Sequence, residues 1–320
     1  MTADGDIVTT AVLDEPLPQH DDILVKVEWS GVNFKDSMVV MPSSRVRRSA
    51  RLIGGVDAAG VVAESNNPQL PVGTAVAVHG GDMGVGRNGG FAEYVASPSR
   101  YVTALPPNVT TRTAMILGTA GFTALASIRA LEHHGLRPDG GDVLVTGATG
   151  GVGSWAVAAL AARGYRVVAS TGSPSSHEWL RAHGATAIVG RDDIADRPER
   201  VLATERWSGA IDCVGGNTLH QVLRSLRYGA AVAASGLVAS ADLVTNVYPF
   251  ITRSVALLGI DAVEADAQTR SDTWQLVSDV IESIDSESLV DSEITLEDIP
   301  NALRIISNGA TQGRILVRAR

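Results

Sequence analysis

DVLVTGATGGVG, residues 142–153, decides the fold. After Asp142 it runs Val143-Leu144-Val145-Thr146, the composition of a short buried strand. Gly147, Gly150, Gly151 and Gly153 follow, and Val152, Trp155, Ala156, Ala159 and Leu160 then mark one face of a helix. A strand that turns without side chains into a helix presents backbone N–H groups and the positive end of the helix dipole to an anion. A dinucleotide pyrophosphate needs that junction. The spacing is G-x-x-G-G-x-G rather than G-x-G-x-x-G, so the glycines alone are also compatible with a structural turn and the flanks carry the argument.

Those flanks alternate. YRVVAST (165–171) reads as a second strand, and Ser175, Ser176, His177 and Glu178 read as a capping box opening a helix that runs to Gly184. AIV (187–189), AIDCV (210–214), AAVAAS (230–235) and VALLGI (255–260) read as further strands. Strands apolar on both faces and separated by helices imply a parallel sheet covered on both sides. The expectation is an α/β chain with a doubly wound parallel sheet over 113–262, entered through an Ala- and Leu-rich helical run, 113–136. Residues 1–112 are β-rich, with strands expected at 23–29, 60–65 and 74–80 between Gly and Pro turns. An acidic helical stretch and a closing strand, RILVRAR (314–320), occupy 263–320.

The second strand also reports on the cofactor. Folds that bind NAD place an acid at its end to accept the ribose hydroxyls. Here that place reads Ser170-Thr171-Gly172-Ser173, with no acid before Glu178. Without a carboxylate a 2′-phosphate is not repelled, Thr171 and Ser173 can donate to it, and Arg191 can supply positive charge. NADPH/NADP+ is therefore expected over NADH, the other reading of Arg191 being an ordinary surface arginine.

Composition narrows the classes. The chain has 320 residues, 45% hydrophobic and 19% charged, enough to bury two cores. A net charge of −9 argues against nucleic-acid and anionic-membrane partners. The single cysteine, Cys213, excludes an intrachain disulfide framework and a cysteine-rich metal site. MTADGDIVTT (1–10) lacks the pattern of a signal peptide, and no apolar run reads as a membrane span, so a cytoplasmic enzyme is expected.

With these residues in place, the chain resembles the medium-chain dehydrogenase/reductase superfamily, in its zinc-independent branch of quinone oxidoreductases and acryloyl-CoA reductases. GVNFKD (31–36), GGVDAAGVV (54–62), GGFAEY (89–94), LGTAGFTA (117–124), VTGATGGVG (145–153), GAIDCVGG (209–216) and QGRILV (312–317) carry the likeness. STGSPSSHEWL and YPFITRSVALLGID lean toward the acryloyl-CoA reductase subgroup. The resemblance implies a GroES-like catalytic domain from 1–112 and 263–320, a Rossmann domain over 113–262 between them, and a homodimer. It implies cofactor contacts at Phe34, Thr149, Gly150, Gly151, Val152, Thr171, Gly172, Ser173, Arg191, Leu237, Ile251 and Asn308. Leu237 and Ile251 would pack near the nicotinamide, with Asn308 reaching it from the C-terminal segment. Two departures stand out: Phe34 replaces a frequent Tyr, which removes a phenolic hydroxyl, and Ser173 replaces a frequent Arg.

The chemistry left to such a chain is hydride transfer to an electron-poor acceptor. No metal is expected, since the stretch where a zinc-ligating His would stand reads Gly54-Gly55-Val56-Asp57. No G-x-S-x-G elbow supports a hydrolase. Asn33 is the candidate catalytic polar side chain, its other reading being a turn-forming Asn, and Asp36 is read as a helix cap. Arg45, Arg47 and Arg48, in a run ending at Arg51, could attract the phosphates of a CoA ester or could be a solvated loop. The expected activity is NADPH-dependent reduction of an activated C=C bond, in a short enoyl-CoA such as acryloyl-CoA. An NADPH:quinone oxidoreductase and a non-catalytic NADPH-binding sensor are the alternatives.

Overall fold

In a computed structural model, residues 22–41, 44–196 and 200–319 are described. The reading of residues 1–10 as lacking a signal peptide lies outside them. The chain forms two compact units, one from 1–120, 263–281 and 285–320, the other from 121–262 and 282–284.

The first unit is built on a seven-stranded sheet. Its strands are β1 (Asp22–Val32), β2 (Asp57–Glu64), β3 (Ala75–His79), β4 (Tyr94–Pro98) and β5 (Val102–Ala104), then, counting on through six strands of the other unit, β12 (Val290–Thr295) and β13 (Arg314–Arg318). The order is β12-β13-β1-β2-β3-β5, with β4 also on β1, and every pairing is antiparallel except β12 on β13. Alternate residues of these strands, among them Val25, Val27, Val62, Val76 and Val78, fill one core. Helices α1 (Phe34–Val39) and α8 (Ile299–Ser307) pack together at the side of the sheet, where Val32, Ile299, Leu303 and Ile315 form a second cluster.

The second unit carries a six-stranded sheet of β6 (Asp142–Thr146), β7 (Arg166–Ser170), β8 (Ala185–Val189), β9 (Gly209–Asp212), β10 (Ala231–Ala234) and β11 (Ala256–Gly259). All pairings are parallel and the order is β11-β10-β9-β6-β7-β8. Read from β8, this is the 3-2-1-4-5-6 order of the doubly wound fold. The strand order reverses between β6 and β9, beside α3 (Gly151–Ala162), and ligands of such sheets bind at that switch point. Trp155, on the predicted inward face of α3, is fully buried.

Two expectations need correction. Helix α2 (Thr111–His133) is long and apolar enough to cross a membrane by length and composition, although no such run was expected. Most of that apolar window is buried in the fold, as in a core helix. The capping box at Ser175–Glu178 is also not formed. Pro174 starts a 3₁₀ turn, and Ser176, preceding α4 (His177–Ala182), makes no capping hydrogen bond; its hydroxyl turns back to Ser173.

Candidate functional site

At the end of β6 the chain turns through Gly147, whose φ of 58° favours glycine. The turn closes with the Gly150 N–H donating to the Gly147 carbonyl at 3.0 Å. Helix α3 then begins with Gly150 as N-cap and no side chain capping it, and its first turn carries no acid. Its leading N–H groups are therefore available to an anion. The glycines have separate duties. A Cβ at Gly153 would stand 2.2 Å from the Gly147 oxygen, so glycine there lets the helix close on the turn. A Cβ at Gly150 would meet only that oxygen, at 3.4 Å, so its absence leaves room for a ligand rather than for the protein.

The turn is braced from β9. Thr146 donates its hydroxyl to Asp212 at 2.6 Å and accepts from the Cys213 N–H, while Asp212 also accepts from the Gly215 N–H at 2.8 Å. Burial pushes Asp212 above the usual carboxylate range, and the hydrogen bonds from Thr146, Gly215 and Val214 oppose that. Burial also raises the Cys213 thiol strongly, with the charge of Asp212 adding to it, so the half-buried Cys213 holds its proton.

At the end of β7 the remaining phosphate-side residues come together. Thr171 is buried, and its hydroxyl accepts from the Ser173 N–H at 3.0 Å. Arg191, from the turn after β8, lies across Gly172: a Cβ there would stand 2.9 Å from its Nη2. No carboxylate ends β7; the nearest acids in sequence to Arg191 are Asp192 and Asp193 beside it. Thr149–Val152, Thr171–Ser173 and Arg191 thus share the C-terminal edge of the parallel sheet. Leu237 and Ile251, on the same unit beyond β10 and in α6 (Tyr248–Arg253), are exposed apolar side chains, and Leu237 sits over Gly215.

On the first unit, Asn33 follows β1 and precedes Phe34, the first residue of α1. Its amide is fully used. Nδ2 donates to Asp57 at 2.8 Å and to the Gly31 carbonyl at 3.3 Å, and Oδ1 accepts from Arg314 Nη1 at 3.0 Å. Asp57 also accepts from the N–H and hydroxyl of Thr119 and faces Arg314 Nη2 at 3.5 Å. Arg314 donates its Nε to the Ile116 carbonyl. Burial pulls the Arg314 guanidinium down, and the carboxylates of Asp57 and Asp36 pull it back up. Asp36 caps α1 from inside the first turn, accepting from the Asn33 and Val56 N–H groups at 2.8 and 3.0 Å. Burial, and secondarily the charge of Asp57, raise it to about 7.

Phe34 is half-buried, while Asn308 is exposed at the C-terminal end of α8. Arg45 and Arg48 are exposed and Arg47 is half-buried, in a loop after α1. Among the described residues no group of three or more His, Cys, Asp and Glu side chains could hold a metal ion. The partnership of Asp57 with Arg314, and that of Thr146 with Asp212, went unread in the sequence. The one sequence signal for either is the acid inside each glycine-rich word, GGVDAAG and AIDCVGG.

Residues 19–107 match the alcohol dehydrogenase GroES-like domain, and residues 151–283 match the zinc-binding dehydrogenase domain. YhfP of Bacillus subtilis (strain 168), whose name proposes a quinone oxidoreductase, is 41% identical over 98% of this chain and 95% of its own. Its crystal structure with NAD bound superposes with a TM-score of 0.90 over 94% of this chain and 92% of that one, at 42% identity. The acrylyl-CoA reductase AcuI of Ruegeria pomeroyi is 40% identical over 92% of this chain and 89% of its own. The crystal structure of Escherichia coli K-12 YhdH with bound NADPH superposes at a TM-score of 0.94, with 39% identity, over 100% of this chain and 98% of that one. Fold order, glycine turn and relatives converge: the chain belongs to the medium-chain dehydrogenase/reductase superfamily of oxidoreductases, in its zinc-independent group of quinone oxidoreductases and acrylyl-CoA reductases.

Proposed function

We propose that this protein is a cytoplasmic, homodimeric, NADPH-dependent reductase of activated C=C bonds, acting on a short enoyl-CoA such as acryloyl-CoA without a metal. The observation that carries the cofactor choice is Arg191 lying across Gly172 at the end of a strand that bears no acid. A guanidinium there favours a 2′-phosphate, and a carboxylate would oppose it. The exposed edge of β11, with Leu257 partly open to solvent, supports association of two copies.

In this reading the bound cofactor would supply a hydride to the β-carbon of the enoyl thioester and the α-carbon would take a proton, giving the saturated thioester and the oxidised cofactor. The N–H groups of Gly151 and Val152 would hold the pyrophosphate beside Thr149 and Gly150, and Thr171, Ser173 and Arg191 would hold the 2′-phosphate. Leu237 and Ile251 would offer apolar surface to the nicotinamide. Both amide hydrogens of Asn33 are engaged within the protein, so its role is to fix the β1–α1 junction that presents Phe34. Phe34 has no hydroxyl and donates no proton. Excluding water and fixing the acceptor over the ring are what such a site contributes.

The test follows nicotinamide absorbance with acryloyl-CoA, crotonyl-CoA and a benzoquinone, each with NADPH and with NADH. Turnover confined to the CoA esters with NADPH is the expected result. Turnover with the quinone alone would replace this reading by NADPH:quinone oxidoreductase, which the name of YhfP favours. Tight NADPH binding with no turnover on any acceptor would make the chain a sensor.

A further inference from the structure

Residues 37–56 contain Arg45, Arg47, Arg48 and Arg51 and no acidic residue, in a chain whose net charge is −9. Four other arginines of the first unit pair with carboxylates: Arg87 with Asp22, Arg112 with Glu287 and Glu293, Arg314 with Asp57 and Arg318 with Glu293. Among the described residues no carboxylate pairs with Arg45, Arg48 or Arg51, while the half-buried Arg47 is engaged within the protein. Asp82 and Arg48 both flank Gly86, and no ion pair joins them.

The loop that carries these charges is held in place. Val46 packs on Val39, Val56 and Val85, the Arg48 N–H donates to the Val85 carbonyl at 2.7 Å, and the Ile53 N–H donates to Asn88 at 3.0 Å. Val39 is the last residue of α1, whose first residue is Phe34. Six helical residues span about 9 Å. The charged loop is therefore docked at one end of the short helix whose other end carries Asn33 and Phe34. A substrate with its reacting carbons at the second place and anionic groups on a long arm fits that spacing.

We infer that Arg45, Arg48 and Arg51 form the recognition site for the phosphate groups of a CoA thioester, an inference that rests on the enoyl-CoA reading above. A guanidinium pairs with phosphate through two parallel N–H bonds, and a backbone fixed beforehand lowers the ordering cost of binding. A quinone offers these arginines nothing. The other phosphate-bearing molecule is NADPH itself, and the test separates the two.

The experiment compares wild type with the triple variant Arg45→Ser, Arg48→Ser, Arg51→Ser. Acryloyl-CoA and the phosphate-free acryloyl-N-acetylcysteamine thioester are the substrates, and NADPH and free CoA are titrated by calorimetry. The kcat/KM ratio of CoA ester to truncated thioester should fall by about tenfold or more, mostly through KM, since each charge-assisted pair lost is a factor of that order. Free CoA should bind more weakly in the variant, and NADPH should bind equally well. The ratio cancels any general loss of folded enzyme. An unchanged ratio, or a loss in NADPH affinity in place of CoA affinity, overturns the assignment. If neither thioester is reduced, the reductase reading falls and the CoA titration decides alone: binding lost in the variant upholds the site, and no binding to wild type overturns it.

Discussion

Arg314 and Asp57 form an ion pair from which water is shut out: their side chains are 2% and 0% exposed, and they come from strands at opposite ends of the chain. Around the pair gather the amide of Asn33 and the backbone of Ile116 and Thr119. Gly118, with φ 53°, kinks α2 at this point, because a Cβ would stand 2.5 Å from Asp57 Oδ2 and 2.6 Å from Arg314 Nη2.

Removing one partner of such a pair leaves the other charge buried and alone. Arg314→Met is expected to destabilise the protein by about 3–5 kcal/mol. The double variant Arg314→Met, Asp57→Asn should recover part of that loss. Urea unfolding of the two variants against wild type checks it, and equal stability of single and double variants would show that the charges are not coupled.

His79 governs the acid limb of stability. It is fully enclosed, with Arg270 Nη1 within 3.2 Å of both ring nitrogens, and burial followed by the Arg270 charge lowers it to about 3. A histidine whose folded value lies below its unfolded value of 6.5 contributes stability above 6.5 that is lost as pH falls toward 3. The stability advantage of wild type over His79→Leu should therefore shrink on acidification through that window, by up to about 1.4 kcal/mol per pH unit. Asp36 acts in the opposite sense. Its folded value, about 7 against 3.8, means stability present below 3.8 is lost as pH rises through 7. Urea unfolding of both proteins between about pH 4.5 and 6.5, a range of about two units inside both windows, reads the difference. An advantage that grows with acid would show His79 to be charged in the fold.

Gly150 and Gly153 separate binding from folding. Gly150→Ala meets only the Gly147 oxygen, at 3.4 Å, and should change stability by no more than about 0.5 kcal/mol while weakening NADPH at least about tenfold. Gly153→Ala forces α3 away from the turn and should cost stability by about 1–3 kcal/mol as well as affinity. Thermal unfolding and NADPH titration of both variants check the contrast.

Arg191→Ser should lower kcat/KM with NADPH by about tenfold and leave NADH nearly unaffected, because the lost contact is a charge-assisted bond to the 2′-phosphate alone. Equal losses with both cofactors would place the arginine elsewhere in the site.

The sequence displays what periodicity and composition encode. β6 and β7 announce themselves as apolar runs, and Gly147 to Gly153 mark the turn between strand and helix. β12, Val290–Thr295, is invisible to the same reading: it is a sheet edge with alternately exposed, largely polar residues, and its strand character comes from hydrogen bonding to β13. The engagement of Asn33 was hidden for a related reason. Its role depends on Arg314, and nothing local connects positions so far apart. Ser175 and Ser176 satisfied a capping pattern, but Pro174 reset the backbone one turn earlier.

The distance along the chain between Asp57 and Arg314 also sets a timetable. β13, the strand that brings Arg314, is translated 257 residues after its carboxylate partner. At ribosomal speeds of about 5–20 residues per second, that is roughly ten seconds to a minute. The unit made of 121–262 is nearly contiguous and can be complete before then. The sheet containing Asp57 must meanwhile wait with the flank of β1 open and Asp57 without its arginine. Synthesis therefore imposes an order on this protein: the parallel sheet is finished first, and the seven-stranded sheet is sealed only when β13 follows it.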